Sequence, residues 1–201
     1  QLKANEVLKE VGARGAVVAV DPSTGGILAM VSQPSYDPNW FTGGISQANY
    51  ASLIQSEERP LYNRAVQGTY SPASTIKPHL AWIGLQQGVI TENTRIADPG
   101  WFSLPNSEHR YRDWRPWGHG SSMNVFDSIV QSCDTFFYDL SVRLGINRIY
   151  EGMSQFGFGE KTGLDIVEEK KGIMPSRSWK KDIRKESWYM GDTVNIGIGQ
   201  G

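Results

Sequence analysis

Cysteine is nearly missing from this chain: Cys133 is the only one in 201 residues, which excludes an intrachain disulfide framework. A dominant sign of charge is missing too. Twenty Lys and Arg stand against 21 Asp and Glu, a formal net charge of -1, so the electrostatics give no reason to expect nucleic acid as a partner. No apolar run approaches the ~20 residues that span a bilayer, and no secretory leader pattern opens the chain. Internal repeats and low-complexity segments are also lacking. Aromatic residues are plentiful, with seven Trp, eight Tyr and seven Phe. Such a chain can bury enough apolar surface to fold, which argues against disorder. Glycine (22) and proline (10) make up about one residue in six, above the ~12% of average usage. That excess argues for many turns and against a plain helix bundle. The length suits one domain, or part of one, with a sizeable core.

Gln1 in place of an initiator Met, and a finish inside Gly197-Ile198-Gly199-Gln200-Gly201, read as the cut edges of a longer chain. Residues 1–12 read as a lead-in segment. Residues 13–33 read as a β-hairpin, two β-rich runs joined by Asp21-Pro22-Ser23-Thr24-Gly25-Gly26. A short helix is expected over 47–55, and another from Ser74 to Gln87, with Ile76, Leu80, Ile83 and Leu85 apolar and Gly88 as its stop. Residues 96–123 look like a long ordered loop rich in aromatics, glycine and proline, inside a helical region running from 74 to 144. Asn124 is placed to cap a helix to Gln131, Thr135–Leu144 reads as a second, and Asn147 as the cap of a third whose Ile149, Tyr150, Met153 and Phe156 face inward. Residues 164–201 look like short strands and loops. The class is α+β, with an antiparallel hairpin early and helices after it.

The chemistry-bearing segment is Ser71-Pro72-Ala73-Ser74-Thr75-Ile76-Lys77-Pro78. Proline lacks an N–H and is tolerated only in the first turn of a helix. If Pro78 is helical, the helix starts near Ser74, which then sits at the positive end of the dipole. Lys77 follows three residues on, one turn away on the same face. A serine hydroxyl beside a lysine amine at a helix start is a plausible activated nucleophile; the bland alternative is a capping serine and a surface lysine. Ser132-Cys133-Asp134 is the second piece. A serine and a carboxylate two apart on an extended loop point to one side and can complete a proton relay around Lys77; the bland alternative is an ordinary helix connection.

In this order, S-x-x-K-P then S-x-[ND], the chain resembles the penicillin-binding proteins, the serine acyl-transferases of peptidoglycan. The similarity extends over essentially the whole chain: the hairpin from Ala16 to Ser32, Pro34-Ser35-Tyr36-Asp37-Pro38-Asn39, Asn63-Arg64-Ala65, Gly157-Phe158-Gly159, Thr162-Gly163-Leu164-Asp165 and the Gly197–Gly201 run. Asp134 in place of the usual Asn, with Asp98-Pro99-Gly100-Trp101 and Tyr111-Arg112-Asp113-Trp114, favours the class B, rod-shape-associated branch of Gram-negative bacteria. The resemblance implies a transpeptidase fold of the penicillin-binding protein and serine β-lactamase kind, an antiparallel sheet flanked by helices, here incomplete at its C-terminal end.

It implies Ser74 as nucleophile, Lys77 as its base, Ser132 as proton relay and Asp134 as positioning group. Stem peptides of peptidoglycan and β-lactams are the expected ligands. In the full protein a membrane glycosyltransferase and elongation-complex proteins are the expected partners, at the periplasmic face of the inner membrane, with the anchor outside this chain. Two departures stand out. Ala73 replaces the commoner Gly, which asks for an ordinary backbone conformation there. Asp134 replaces an amide with an acceptor-only carboxylate, which favours the ammonium form of Lys77 and works against it as a neutral base. Lys161-Thr162-Gly163 spells the family's third motif, K-[ST]-G, but falls too early in the chain. The true one is expected after Gly201, so the chain by itself is expected to be inactive. A serine β-lactamase or D,D-carboxypeptidase, and a non-catalytic β-lactam-sensing or zinc-stabilised scaffold, remain as alternatives.

Asp98, Asp113, His119 and Cys133 are donors of the kinds zinc accepts. Their alternative is mundane: turn-capping aspartates, a satisfied histidine and a small buried thiol. The resemblance adds weight, since elongation-type relatives with this loop are linked to zinc. A long loop between two motifs also needs pinning, and four protein ligands would make a structural site. No cofactor is expected for catalysis. His79 is expected to serve packing.

Overall fold

The computed structural model describes all residues, 1–201. They form two units: residues 1–69 with 163–170, and residues 70–162 with 171–201. In the first unit the expected lead-in is a helix, α1 (Leu2–Glu10), with no buried residue. The hairpin is present: β1 (Gly15–Val20) pairs antiparallel with β2 (Ile27–Gln33), Gly15 opposite Gln33. Its turn is held by the Asp21 carboxylate, which accepts from the Ser23 N–H and the Thr24 hydroxyl. Helix α2 (Gln47–Gln55) occupies its expected range, capped by the Ser46 hydroxyl on the Asn49 N–H. Helix α3 (Arg64–Gln67) is capped by Asn63. Arg64 is buried, and its guanidinium donates to the carbonyls of Glu58, Arg59 and Tyr62. Those acceptors offset the cost of burying its charge.

In the second unit a 3-10 turn, Ala73–Ile76, runs into α4 (Lys77–Gln86). The α-helix therefore starts three residues later than the sequence suggests, and Pro78 explains why. Its missing N–H is the one that would serve the Ser74 carbonyl in an α-helix, so the Lys77 N–H bonds that carbonyl instead, in the 3-10 pattern. Residues 96–123 are more regular than a loop. β3 (Ile96–Asp98) pairs with β6 (Gly120–Met123), and β4 (Trp101–Phe102) with β5 (Tyr111–Arg112). The antiparallel pairing of the whole chain thus lies in three two-stranded ladders.

Helix α5 (Val125–Val130) has the expected Asn124 cap. The two helices expected after it are both present, end to end within α6 (Asp134–Ser154), and they part at Gly145, next to the expected end at Leu144, with φ 72 and ψ 156. Glycine reaches that conformation unaided, so the break stands at Gly145 and Asn147 caps nothing. Ile149 and Met153 are buried, but Tyr150 and Phe156 are 42% and 44% exposed, against expectation. Past residue 170 the chain forms helices where strands and loops were expected: α7 (Arg177–Trp179), continued by a π-helical turn to Arg184, and α8 (Met190–Ile196).

Leu80 and Ile83 of α4, Phe136, Phe137, Leu140 and Ile149 of α6, and Val194 of α8 are each at most 1% exposed. Burial of this kind stabilises by about 1.5–3 kcal/mol per large side chain. Small residues set how closely α4 and α6 cross. A Cβ added at Gly152 would lie 2.6 Å from Ile83, and one at Gly84 2.9 Å from Leu140. This packing fixes the start of α4, which carries Lys77, against the start of α6, which carries Asp134. No helix is long and apolar enough to cross a membrane.

Candidate active site and an adjoining ligand cluster

Ala73 does not take the ordinary conformation expected of it. Its φ is +50, in the left-handed region that costs a non-glycine residue about 1–3 kcal/mol. The conformation is held from outside: the Ala73 N–H donates to the Gly199 carbonyl at 3.1 Å. Gly199 has φ +68, and a Cβ there would lie 2.4 Å from the Ala73 oxygen. Ser74 follows, partly exposed, inside the 3-10 turn. In that geometry residues i and i+3 eclipse, so Ser74 and Lys77 stack on one edge.

Lys77 is not a surface lysine; it is 1% exposed. Nζ donates to the Ser132 carbonyl at 2.9 Å, the Ser132 hydroxyl at 3.1 Å and Asp134 Oδ1 at 2.6 Å. Three bonds use the three protons of an ammonium. The Phe137 ring lies 5.4 Å from Nζ on a further side. The structure therefore brings Lys77, Ser132 and Asp134 together, though not by the extended loop expected. Ser132 is left-handed with φ +54 at the end of α5, Cys133 is extended, and Asp134 opens α6.

Trp114 completes the surroundings. Its main-chain N–H donates to Asp134 Oδ2 at 3.1 Å, and its indole Nε1–H donates to the Gln131 carbonyl at 3.1 Å. Sequence reasoning used Trp114 only as a marker of a family branch and missed Gln131. No local signal reveals either, because both act through contacts made across the fold.

The four ligand candidates also meet. One donor atom from each of Asp98, Asp113, His119 and Cys133 lies within 4.8 Å of all the others. His119 Nδ1 is 2.6 Å from Asp98 Oδ2, and Cys133 Sγ is 3.5 Å from the same oxygen. Outer contacts orient the carboxylates. Gly100 N–H bonds Asp98 Oδ1, Arg115 N–H bonds Asp113 Oδ1, and Thr135 N–H bonds Asp113 Oδ2. Burial pushes the Cys133 thiol well above its ordinary range, and the charges of Asp98 and Asp113 push the same way. Burial also opposes the charge on Asp98, but hydrogen bonding to its carboxylate, with the His119 ring, the Gly100 N–H and the Cys133 thiol among its partners, outweighs burial and holds its carboxyl below the usual carboxylate range. His119 Nε2 is buried without a partner. Two carboxylates, a thiol and one imidazole in a buried pocket form an oxygen, nitrogen and sulfur set that suits zinc.

Other candidates fall elsewhere. His79 packs edge-on against Phe156 and Phe158 at 4.8 and 5.3 Å, as expected of a packing residue, with Nδ1 buried and unpartnered. Lys161, Thr162 and Gly163 are exposed and lie on no strand.

The geometry has counterparts. Residues 15–201 match the penicillin binding protein transpeptidase domain. The peptidoglycan D,D-transpeptidase MrdA of Escherichia coli K12 is 55% identical over 190 residues, covering 94% of this chain and 30% of that protein. The crystal structure of Pseudomonas aeruginosa PBP2 in complex with WCK 5153 superposes with a TM-score of 0.93 at 52% identity, over 99% of this chain and 43% of that one. PBP2 of Helicobacter pylori, solved in complex with MreC, gives 0.92 at 36% identity, over 100% of this chain and 36% of that one. The chain thus spans about a third of the curated relative. Motif order, fold and likeness agree, and the chain belongs to the penicillin-binding protein transpeptidase domain family.

Proposed function

We propose that this chain carries the nucleophile and base of a D,D-transpeptidase that cross-links peptidoglycan during cell elongation and is acylated by β-lactams. The observation that supports this most is the buried Lys77 amine, one 3-10 turn from Ser74 and bonded to both Ser132 and Asp134. Ser74 Oγ attacks the carbonyl carbon of the penultimate D-Ala in a donor stem pentapeptide, and its proton passes to Lys77. Lys77 must first lose a proton, and Asp134 Oδ1 at 2.6 Å is an acceptor at hand. Collapse of the tetrahedral intermediate breaks the C–N bond to the terminal D-Ala. The departing nitrogen takes the Ser132 hydroxyl proton, and Lys77 returns one to Ser132 along their 3.1 Å contact. An amine of a neighbouring stem peptide then attacks the ester, and the same groups act in reverse. The Ser74 N–H supplies one donor to the oxyanion.

Asp98, Asp113, His119 and Cys133 would hold a structural zinc. When bound, such an ion supplies positive charge to a buried anionic cluster and takes no part in the reaction. Its ligands adjoin the site: Cys133 sits between Ser132 and Asp134, and Asp113 precedes Trp114. By likeness to MrdA and to the PBP2 solved with MreC, the full protein works at the periplasmic face of the inner membrane. Its partners there are a membrane glycosyltransferase and other elongation-complex proteins.

The test supplies the full-length gene product with a stem pentapeptide and an acceptor amine. Release of D-Ala together with a cross-linked product is expected. Release of D-Ala with only hydrolysed tetrapeptide would favour the carboxypeptidase reading, and rapid deacylation of a bound β-lactam the β-lactamase reading. No release, with a Ser74→Ala gene that still supports rod shape, would favour a scaffold.

A further inference from the structure

We propose that Trp114 is a positioning residue, a clamp on the Gln131–Asp134 turn that presents Ser132 and Asp134 to Lys77. The proposal deepens the transpeptidase reading and rests on it for its kinetic consequence; the clamp itself rests on geometry.

Ser132 stands at φ +54, a conformation that a serine keeps only when its surroundings over-determine it. Trp114 grips the turn on both sides of that strained residue. The indole N–H holds the Gln131 carbonyl, one of the carbonyls left without a helical partner at the end of α5, and the main-chain N–H holds Asp134 Oδ2. The ring edge rests on His119, with centroids 5.6 Å apart. Yet the residue is 62% exposed, so apolar burial does not account for its placement. Its polar handle is spent on the turn. Trp117, three residues on and 75% exposed, has only the Arg115 guanidinium over its ring, and serves as a control. Loosening the clamp would free the Ser132 hydroxyl from its 3.1 Å contact with Lys77 Nζ, the contact that the proposed proton relay uses.

The test compares Trp114→Phe with Trp117→Phe in the full-length gene product. Benzothienylalanine at position 114, which keeps the two-ring shape and lacks only the N–H, is the finer variant. Amide hydrogen exchange over residues 131–135 is expected to speed up about tenfold in both position-114 variants and to stay unchanged in Trp117→Phe. Saturation kinetics with a penicillin should show the acylation rate constant down about tenfold, with the dissociation constant of the initial complex unchanged. Unchanged exchange over 131–135 overturns the clamp, whatever the kinetics. A change confined to the dissociation constant overturns the positioning role and makes Trp114 a binding surface. Faster exchange in a protein whose parent is not acylated at all upholds the clamp and sinks the transpeptidase reading.

Discussion

Ala73 is held left-handed by Gly199, a residue far along the chain, through one hydrogen bond and a backbone contact too close for any side chain. Gly199→Ala adds a Cβ that would lie 2.4 Å from the Ala73 oxygen, at a φ of +68. It should destabilise the fold by about 3 kcal/mol or more, the sum of backbone strain and overpacking, measured by urea denaturation. A loss below about 1 kcal/mol would mean that the contact relaxes freely. At this scale the covalent spacing was legible: once the segment is helical, which Pro78 in its first turn signals, S-x-x-K sets Ser74 and Lys77 one turn apart. The sign of φ at Ala73 and Ser132 was not, because it is imposed by Gly199 and, as proposed, by Trp114. The lysine's burial was equally hidden, since it depends on α6 arriving with Asp134.

Helices α2 and α5, which open on a capping serine or asparagine, could be read from sequence, whereas α1 and α8, of nine and seven residues, were not. Elements of two to four residues could not: β4 and β5 hold two residues each, and α7 holds three. The crossing of α4 over α6 yields a sharper prediction. Gly152→Ala should cost about 1–3 kcal/mol by overpacking against Ile83. Ile83→Val in the same chain should return part of that loss, so a double-mutant cycle should give a coupling above about 0.5 kcal/mol.

Asp139 in α6 supplies a pH test. Burial holds its carboxyl above the usual carboxylate range, against the pull of Arg143 at 2.7 Å. The folded chain therefore keeps this proton to higher pH than the unfolded chain. Stability from this group falls as pH rises from the unfolded value through the raised folded one. Asp139→Asn should flatten that limb. Thermal melts of variant and parent should diverge in the variant's favour as pH rises from the ordinary carboxylate range through the raised one; constant spacing would contradict the sign.

For the whole molecule, composition excluded more than it assigned, and the ordered set of motifs carried the family. The adjacency of the ligand cluster and the serine site was legible only in part. Cys133 lies between Ser132 and Asp134 in the sequence, whereas Asp98, Asp113 and His119 reach it only through β3, β6 and the segment after β5. If zinc closes that cluster, a strong chelator should lower the thermal midpoint by several degrees and slow acylation by penicillin. Cys133→Ser should reproduce both effects and abolish the response to chelator. Equal metal content in parent and variant by elemental analysis would remove the zinc assignment.

The central claim concerns Ser74, and mass spectrometry of the full-length gene product after exposure to penicillin tests it most directly. One adduct per chain is predicted, on the peptide carrying Ser74, and absent from Ser74→Ala. An adduct on another residue, or one that persists in Ser74→Ala, would contradict it.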